Sequence, residues 1–359
     1  MRIALDVTSA VKPRKTGIGW FITHLVGAMC HELGPDDRLL LCTRLSRWKK
    51  RRHRPRAEHP QVAHRWFEPL GPRGGADLYH GLDKRLTRGS LPKVVTIHDV
   101  FSLVSDRFAD ERFRSRTQAR YAEIARCADR IVFPSACSER EFLGFQPEAN
   151  GRTAVVPHGV DPAFRPSEPD RVADVRRRYG LPERFALYVG EISLRKNLPG
   201  MARGLAAAEA DLPWVWVGSD AHGAVQILDE VRAVPGLETI RLGYVPFADL
   251  PAVYGAATLL TFVTHHEGFG LPALEAMACG TPAVVSSRGA LPEVTAGCAL
   301  EATPDEPTGI GEAVRRIARD GACAAELRRR GMDRAATFTW QRAARGHLAV
   351  YRDVLAAKR

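Results

Sequence analysis

The stretch 257–294, A-T-L-L-T-F-V-T-H-H-E-G-F-G-L-P-A-L-E-A-M-A-C-G-T-P-A-V-V-S-S-R-G-A-L-P-E-V, leaves this chain few folds to choose from. Residues 257–264 form a short apolar run rich in strand formers, the length of a buried parallel strand. A glycine-bearing turn follows, Glu267-Gly268-Phe269-Gly270. The pattern then predicts a helix with Pro272 as its first residue and Gly280 as its stop. A second strand, 282–286, comes straight after. Such a strand–turn–helix–strand unit belongs to an α/β fold with a parallel sheet. Its turn lies at the carboxyl edge of the sheet, where ligands bind in open parallel sheets.

The turn has a specific chemistry. Gly268 and Gly270 permit positive φ and let a ligand approach the backbone closely. The amides of Gly268, Phe269, Gly270 and Leu271, at the start of a helix, suit a diphosphate. Glu267 and Glu275 bracket these donors. Neither carboxylate suits a phosphate, but both can accept hydrogen bonds from hydroxyls that flank one, on a sugar and on a ribose. A spacing of eight between two glutamates means little alone. The whole string E-G-F-G-L-P-A-L-E-A-M-A-C-G-T-P-A-V, however, closely resembles the signature of retaining nucleotide-sugar glycosyltransferases, glycosyltransferase family 4. The resemblance implies the GT-B fold, an α/β architecture of two Rossmann-like domains facing each other across a cleft. It also implies a C-terminal helix that crosses back to the first domain.

Bulk properties agree with two domains. The chain has 359 residues, of which 45% are hydrophobic, enough for packed cores. No 18-residue apolar run suggests a transmembrane helix. The start, M-R-I-A-L-D-V, reads as a first strand rather than a signal peptide. Seven scattered cysteines without a C-x-x-C pair read as free thiols in a reducing cytosol, and no zinc site is indicated. The net charge of +11 is unevenly placed: residues 1–165 carry 29 Lys and Arg against 18 Asp and Glu, whereas the remainder balances. Eight basic residues and no acid fall in the run 44–56 (R-L-S-R-W-K-K-R-R-H-R-P-R), from Arg44 to Arg56. One reading is a solvated, partly disordered loop. The other is attraction to an anionic surface, with Trp48 at headgroup level.

In the first half, 3–7 reads as a buried strand and an amphipathic helix starts near Trp20. Gly17 and Gly19 are expected to form a flexible turn ahead of that helix. The resemblance assigns the string T-G-I-G to a loop facing the donor phosphates and the acceptor. Many relatives carry arginine after the second glycine, where this chain has Trp20. Residues 76–80 and 93–99 read as strands that place His80, His98 and Asp99 at or near carboxyl ends. The resemblance puts a histidine like His98 beside the transferred sugar, where a neutral imidazole can donate to a hydroxyl. A charged helix over 109–127, a strand over 129–134, a helix opened by Ser135 and the turn 158–161 complete this half.

The expected domains are 1–164 for the acceptor, 165–183 as linker, 184–338 for the nucleotide sugar, and 339–359 as the returning helix. Residues 185–189 read as the second domain's first strand, followed by G-E-I-S-L-R-K-N. Arg195 and Lys196, just past that strand end, are suited to a diphosphate. Relatives often carry arginine where Glu191 stands, and a known variant moves it next to the lysine, as here. Glu191 is left without a role. By resemblance, the turn holding Val245 contacts the nucleotide base through backbone.

The expected activity is retaining transfer of a hexosyl group from a nucleoside-diphosphate sugar, with GDP-mannose a candidate, to a glycan or lipid-linked acceptor. His98 and Glu267 are the expected catalytic residues. No cofactor or metal is expected, since no D-x-D pair is placed to hold a divalent ion. The alternatives are a nucleotide-sugar epimerase or hydrolase of the same fold, and a basic nucleic-acid-binding protein suggested by pI ≈ 9.6. Against the latter stand the neutral second half and the lack of an aromatic-studded basic sheet. A dinucleotide oxidoreductase is disfavoured because no G-x-G-x-x-G follows the first strand of either half.

Overall fold

A computed structural model describes all residues except Arg14, Thr16, Arg56, 68–74, His222 and Arg359. The chain divides into two compact units, Met1–Gly159 with Phe338–Arg359, and Val160–Thr337.

The first unit is built on seven parallel strands. They are β1 (Arg2–Asp6), β2 (Arg38–Arg44), β3 (Val62–Phe67), β4 (Leu78–Gly81), β5 (Lys93–Thr96), β6 (Arg130–Phe133) and β7 (Thr153–Val155). Their order is β3-β2-β1-β4-β5-β6-β7. The strand order reverses between β1 and β4, so the loops after these two strands part above the sheet. Central strands are buried on both faces, as in β4, because helices cover both sides of a parallel sheet. Helix starts are capped as their sequences suggest. Asp110 accepts from the Phe113 amide at 2.8 Å and Ser135 from the Ser138 amide at 3.1 Å. Each such cap contributes about 1 kcal/mol. The last helix, Trp340–Ala356, buries Trp340, Ala344, His347, Leu348 and Tyr351 in this unit's core. Its apolar stripe recurs every three to four residues, which is why a helix so distant in sequence can pack there.

The second unit holds six parallel strands: β8 (Ala186–Val189), β9 (Trp214–Val217), β10 (Thr239–Gly243), β11 (Leu259–Phe262), β12 (Ala283–Ser286) and β13 (Leu300–Ala302). Their order is β10-β9-β8-β11-β12-β13, with the reversal between β8 and β11. Trp214 is fully buried, and its indole N–H donates to the Thr261 hydroxyl at 3.0 Å, so the largest core side chain leaves no polar atom stranded.

Four expectations need correction. Gly17 and Gly19 are not a turn ahead of a helix, because the helix itself runs Gly17–Cys30. Burial of Phe21, Ile22, Leu25 and Val26 favours the helix, and both glycines stand in its first turn rather than in its interior, where glycine is costly. Leu271, not Pro272, opens the helix Leu271–Ala278, with proline accommodated in the first turn where amides have no intrahelical acceptor. The segment 165–183 is not a separate linker. Its helix Pro169–Tyr179 buries Val175 in the second unit's core, and Asp249 accepts from Arg171, Arg178 and Tyr179. The basic run is not a disordered loop either: Leu45–His53 forms a 3-10 helix. The end residue Arg56 lies outside the described residues, as does Thr16 of the T-G-I-G string.

Candidate active site

In the second unit, β8 and β11 pair at the point of reversal, Leu259 opposite Ala186 and Leu260 opposite Leu187. Their carboxyl-end loops therefore start side by side. The loop after β8 carries Arg195 and Lys196, and the loop after β11 carries Glu267. The loops are laced together by backbone, with the His265 amide donating to the Arg195 carbonyl at 2.9 Å. One carboxylate oxygen, Oε1 of Glu267, accepts from both cations. Arg195 donates at 2.9 Å and Lys196 at 2.5 Å. Arg195 also donates to the His266 carbonyl at 2.7 Å. Lys196 and Glu267 are buried, and the Lys196 ammonium stands 5.0 Å from the centre of the Phe262 ring.

The electrostatics follow from that packing. Burial alone would push the Glu267 carboxyl up, but Arg195 and Lys196 outweigh it and hold the group below the usual carboxylate range. Burial pulls the Lys196 ammonium below its ordinary value, against the opposing pull of Glu267. Two cations this close repel each other, so the pair needs an anion.

The turn after Glu267 is tightly framed. Gly270 has φ +98°, and a Cβ there would lie 2.4 Å from Leu291 Cδ2. Only glycine fits. Gly268 and Phe269 are buried within the turn. Among the described residues, the Gly270 and Leu271 amides donate no hydrogen bond, and they sit at the amino end of Leu271–Ala278. Glu275 lies on that helix and accepts from the Tyr254 hydroxyl at 2.8 Å. Burial raises its carboxyl to about 7, with Asp161 adding to the rise and Tyr254 opposing it. Val245 is buried in the core, two residues past β10, so only its backbone can face a ligand.

Two residues missed by sequence reasoning hold this geometry. Asn197 adopts φ +56° and donates to the Val263 and Pro304 carbonyls at 3.0 and 2.9 Å. Its signal was present, since asparagine tolerates the left-handed region better than most residues. Gly289 has φ +67°, and a Cβ on it would meet the Glu267 carbonyl oxygen at 2.8 Å. Nothing local in the sequence announces that approach, because it comes from the strand beyond.

The first unit has its own point of reversal. The loops after β1 and β4 meet there, where the Ser9 hydroxyl donates to Asp83 at 2.6 Å. Neither residue stood out in the sequence. His98 follows β5, as expected, but both of its ring nitrogens are engaged inside the unit. Nε2 lies 3.0 Å from the Leu82 carbonyl oxygen, which fixes it as the donor, and Nδ1 lies 3.3 Å from His158 Nε2. His80 is not at a ligand-facing edge. It is fully buried, 2.6 Å from the Tyr351 hydroxyl and 2.8 Å from that of Thr96. His80, His98, His158 and His347 form one neutral cluster around Phe21 and the last helix. Burial depresses all four, His347 to about 3. Gly17 and Gly19 open the helix that carries Phe21 into this cluster.

Two units with parallel sheets of this topology are those of the GT-B fold. Solved structures agree. Sucrose-phosphate synthase from Thermosynechococcus elongatus superposes with a TM-score of 0.78 at 23% identity, covering 99% of this chain and 100% of that one. WaaG, a glycosyltransferase involved in lipopolysaccharide biosynthesis, superposes with a TM-score of 0.70 at 15% identity, covering 98% of each chain. Residues 183–320 match the family described as glycosyl transferases group 1, and residues 30–164 match glycosyltransferase family 4. A Mycobacterium tuberculosis relative, the GDP-mannose-dependent alpha-(1-6)-phosphatidylinositol dimannoside mannosyltransferase, is 33% identical over 285 residues, 74% of this chain and 71% of its own. The Escherichia coli O-antigen chain mannosyltransferase B is 27% identical over 277 residues, 74% of this chain and 71% of its own. The chain belongs to glycosyltransferase family 4.

Proposed function

We propose that this glycosyltransferase moves a hexosyl group, with retention at the anomeric carbon, from a nucleoside-diphosphate sugar to a hydroxyl of a glycan or lipid-linked saccharide. The observation that supports this most is the pairing of Arg195 and Lys196 with Glu267 at the second unit's point of reversal. Charge develops on the departing diphosphate during transfer. Arg195, Lys196 and the amides of 268–271 stabilise it electrostatically, with no divalent ion, so transfer should persist in EDTA. Glu267 holds the sugar's hydroxyls, Glu275 the ribose, and the Val245 backbone the base. Retention follows from front-face attack assisted by the leaving phosphate. His98 acts on the sugar only if it gives up its bond to Leu82 or to His158. Mannose is the favoured sugar, because the Escherichia coli and Mycobacterium tuberculosis relatives above are named as mannosyltransferases, the latter as GDP-mannose-dependent.

The test is a panel of nucleotide sugars read by thermal stabilisation and by nucleotide release with and without acceptor. A matching donor raises the melting temperature, and release that depends on acceptor marks transfer. Release of equal rate without acceptor would mark a hydrolase instead, and no stabilisation by any donor would refute the reading.

The acceptor side carries a second feature. In the 3-10 helix Leu45–His53 no residue is buried, and Trp48 is half exposed. Arg44 is consumed internally by the buried Asp6, but Arg47, Lys49, Lys50, Arg51, Arg52 and Arg54 remain on or beside this segment. Arg51 lies over Trp48, Trp48 packs on Trp66, and Arg54 lies over Trp66. Each cation near an anionic bilayer contributes about 1 kcal/mol. We propose that this segment attaches the enzyme peripherally to an anionic membrane face. Among the described residues no helix is long and apolar enough to cross a membrane. Liposome flotation with anionic lipids should fall sharply when these six cations become serine. Unchanged flotation would refute the attachment.

A further inference from the structure

The Glu267 carboxylate sits where a phosphate is wanted. Arg195 and Lys196 converge on a single oxygen of it, in a buried site, with 2.9 and 2.5 Å contacts. We infer that Glu267 serves as an internal stand-in for the donor's diphosphate, and that donor binding is an exchange of anions at Arg195 and Lys196. This inference rests on the donor reading above and adds to it the order of events within the site.

The exchange follows from charge and burial. Two adjacent cations and one carboxylate leave the trio with a net positive charge. A diphosphate brings more charge and more acceptor oxygens than one carboxylate, so it wins both cations. The displaced Glu267 is then a buried carboxylate without a partner, which is costly. Hydroxyls of the transferred sugar can satisfy it, and a bare nucleoside diphosphate cannot. The frame permits only a side-chain movement. Ala290 donates to the Glu267 carbonyl at 2.9 Å and Gly289 backs that carbonyl, so the backbone is held while the carboxylate swings between partners. The same residue thus blocks the empty site and grips the sugar in the filled one. Discrimination of nucleotide sugar from spent nucleotide, which favours product release, is built into one side chain.

The experiment is calorimetric titration of the wild type, Glu267→Gln and Glu267→Asp with GDP, UDP, GDP-mannose and UDP-glucose. Glu267→Gln removes the competing charge and should bind the bare diphosphate of the matching base about tenfold or more tightly than the wild type. Its preference for nucleotide sugar over bare nucleotide should collapse. Glu267→Asp keeps the charge on a shorter arm that spans the two cations less well, and should tighten bare diphosphate by a smaller factor. It keeps the test alive if the glutamine variant fails to fold. Bare-diphosphate affinity equal to or below wild type in folded variants would overturn the exchange while leaving the donor reading intact. No binding of any of the four ligands by the wild type would overturn the donor reading as well.

Discussion

The two points of strand reversal share a topology and differ in chemistry. In the second unit, the loops after β8 and β11 bring two cations and a carboxylate together in a buried site. In the first, the corresponding region is backed by four neutral histidines packed around Phe21 and the last helix. The same parallel-sheet scaffold gathers two cations on one carboxylate in one unit, and in the other sets a carboxylate, Asp83, beside neutral imidazoles. A doubly wound sheet fixes where a ligand can sit, while a few loop residues decide which ligand it is.

The largest effect that could break this comparison is on transfer. Lys196→Ala should lower turnover by about two orders of magnitude or more, since it removes a preorganised cation from the leaving group. Circular dichroism and melting should show that the fold survives. Near-normal turnover would mean that the second unit's charges are structural. A smaller effect is expected from Glu275, whose carboxyl is raised to about 7. If its carboxylate holds the ribose, donor affinity should weaken as pH falls through about 7. Tyr254→Phe removes the hydrogen bond that favours the ionised form, so the transition should move to higher pH. Titrating donor affinity from pH 6 to 9 checks this, and a flat profile would remove Glu275 from the site.

The smallest effect concerns stability rather than activity, and belongs to the first unit. Its histidines are depressed by burial, His347 to about 3. The folded state prefers them neutral, whereas the unfolded chain binds protons near the ordinary histidine value of about 6.5. Their stability contribution is therefore complete above about 6.5. For His347 it drains away as pH falls towards about 3. His347→Leu should flatten that acid slope of the melting temperature while leaving turnover at neutral pH nearly unchanged. A large loss of turnover would show that the cluster does chemistry rather than packing.

Much of the site was legible from local residues. The 257–294 stretch announced a strand, a glycine turn and a helix, and the structure places β11, Gly270 at φ +98° and Leu271–Ala278 there. Adjacent cations past a strand end are common on surfaces, and Arg195 and Lys196 were legible because they resemble the family variant that sets arginine next to the lysine. What was not legible came from contacts distant in sequence. His80 and His98 look alike in the sequence, each close to a strand's carboxyl end. Only packing by Tyr351, 271 residues away, shows His80 to be a core residue. The helical state of Gly17 and Gly19 likewise depends on the burial of the side chains that follow them.

By itself the sequence determined the α/β class, the strand–turn–helix–strand order of 257–286, and the residue types gathered at its carboxyl edge. Periodicity, caps and turn chemistry are local, and each is written in a window of a few residues. Tertiary structure alone decided that Glu267 meets both Arg195 and Lys196. Those residues lie more than 70 positions apart, and only the pairing of β8 with β11 brings their loops within hydrogen-bonding distance.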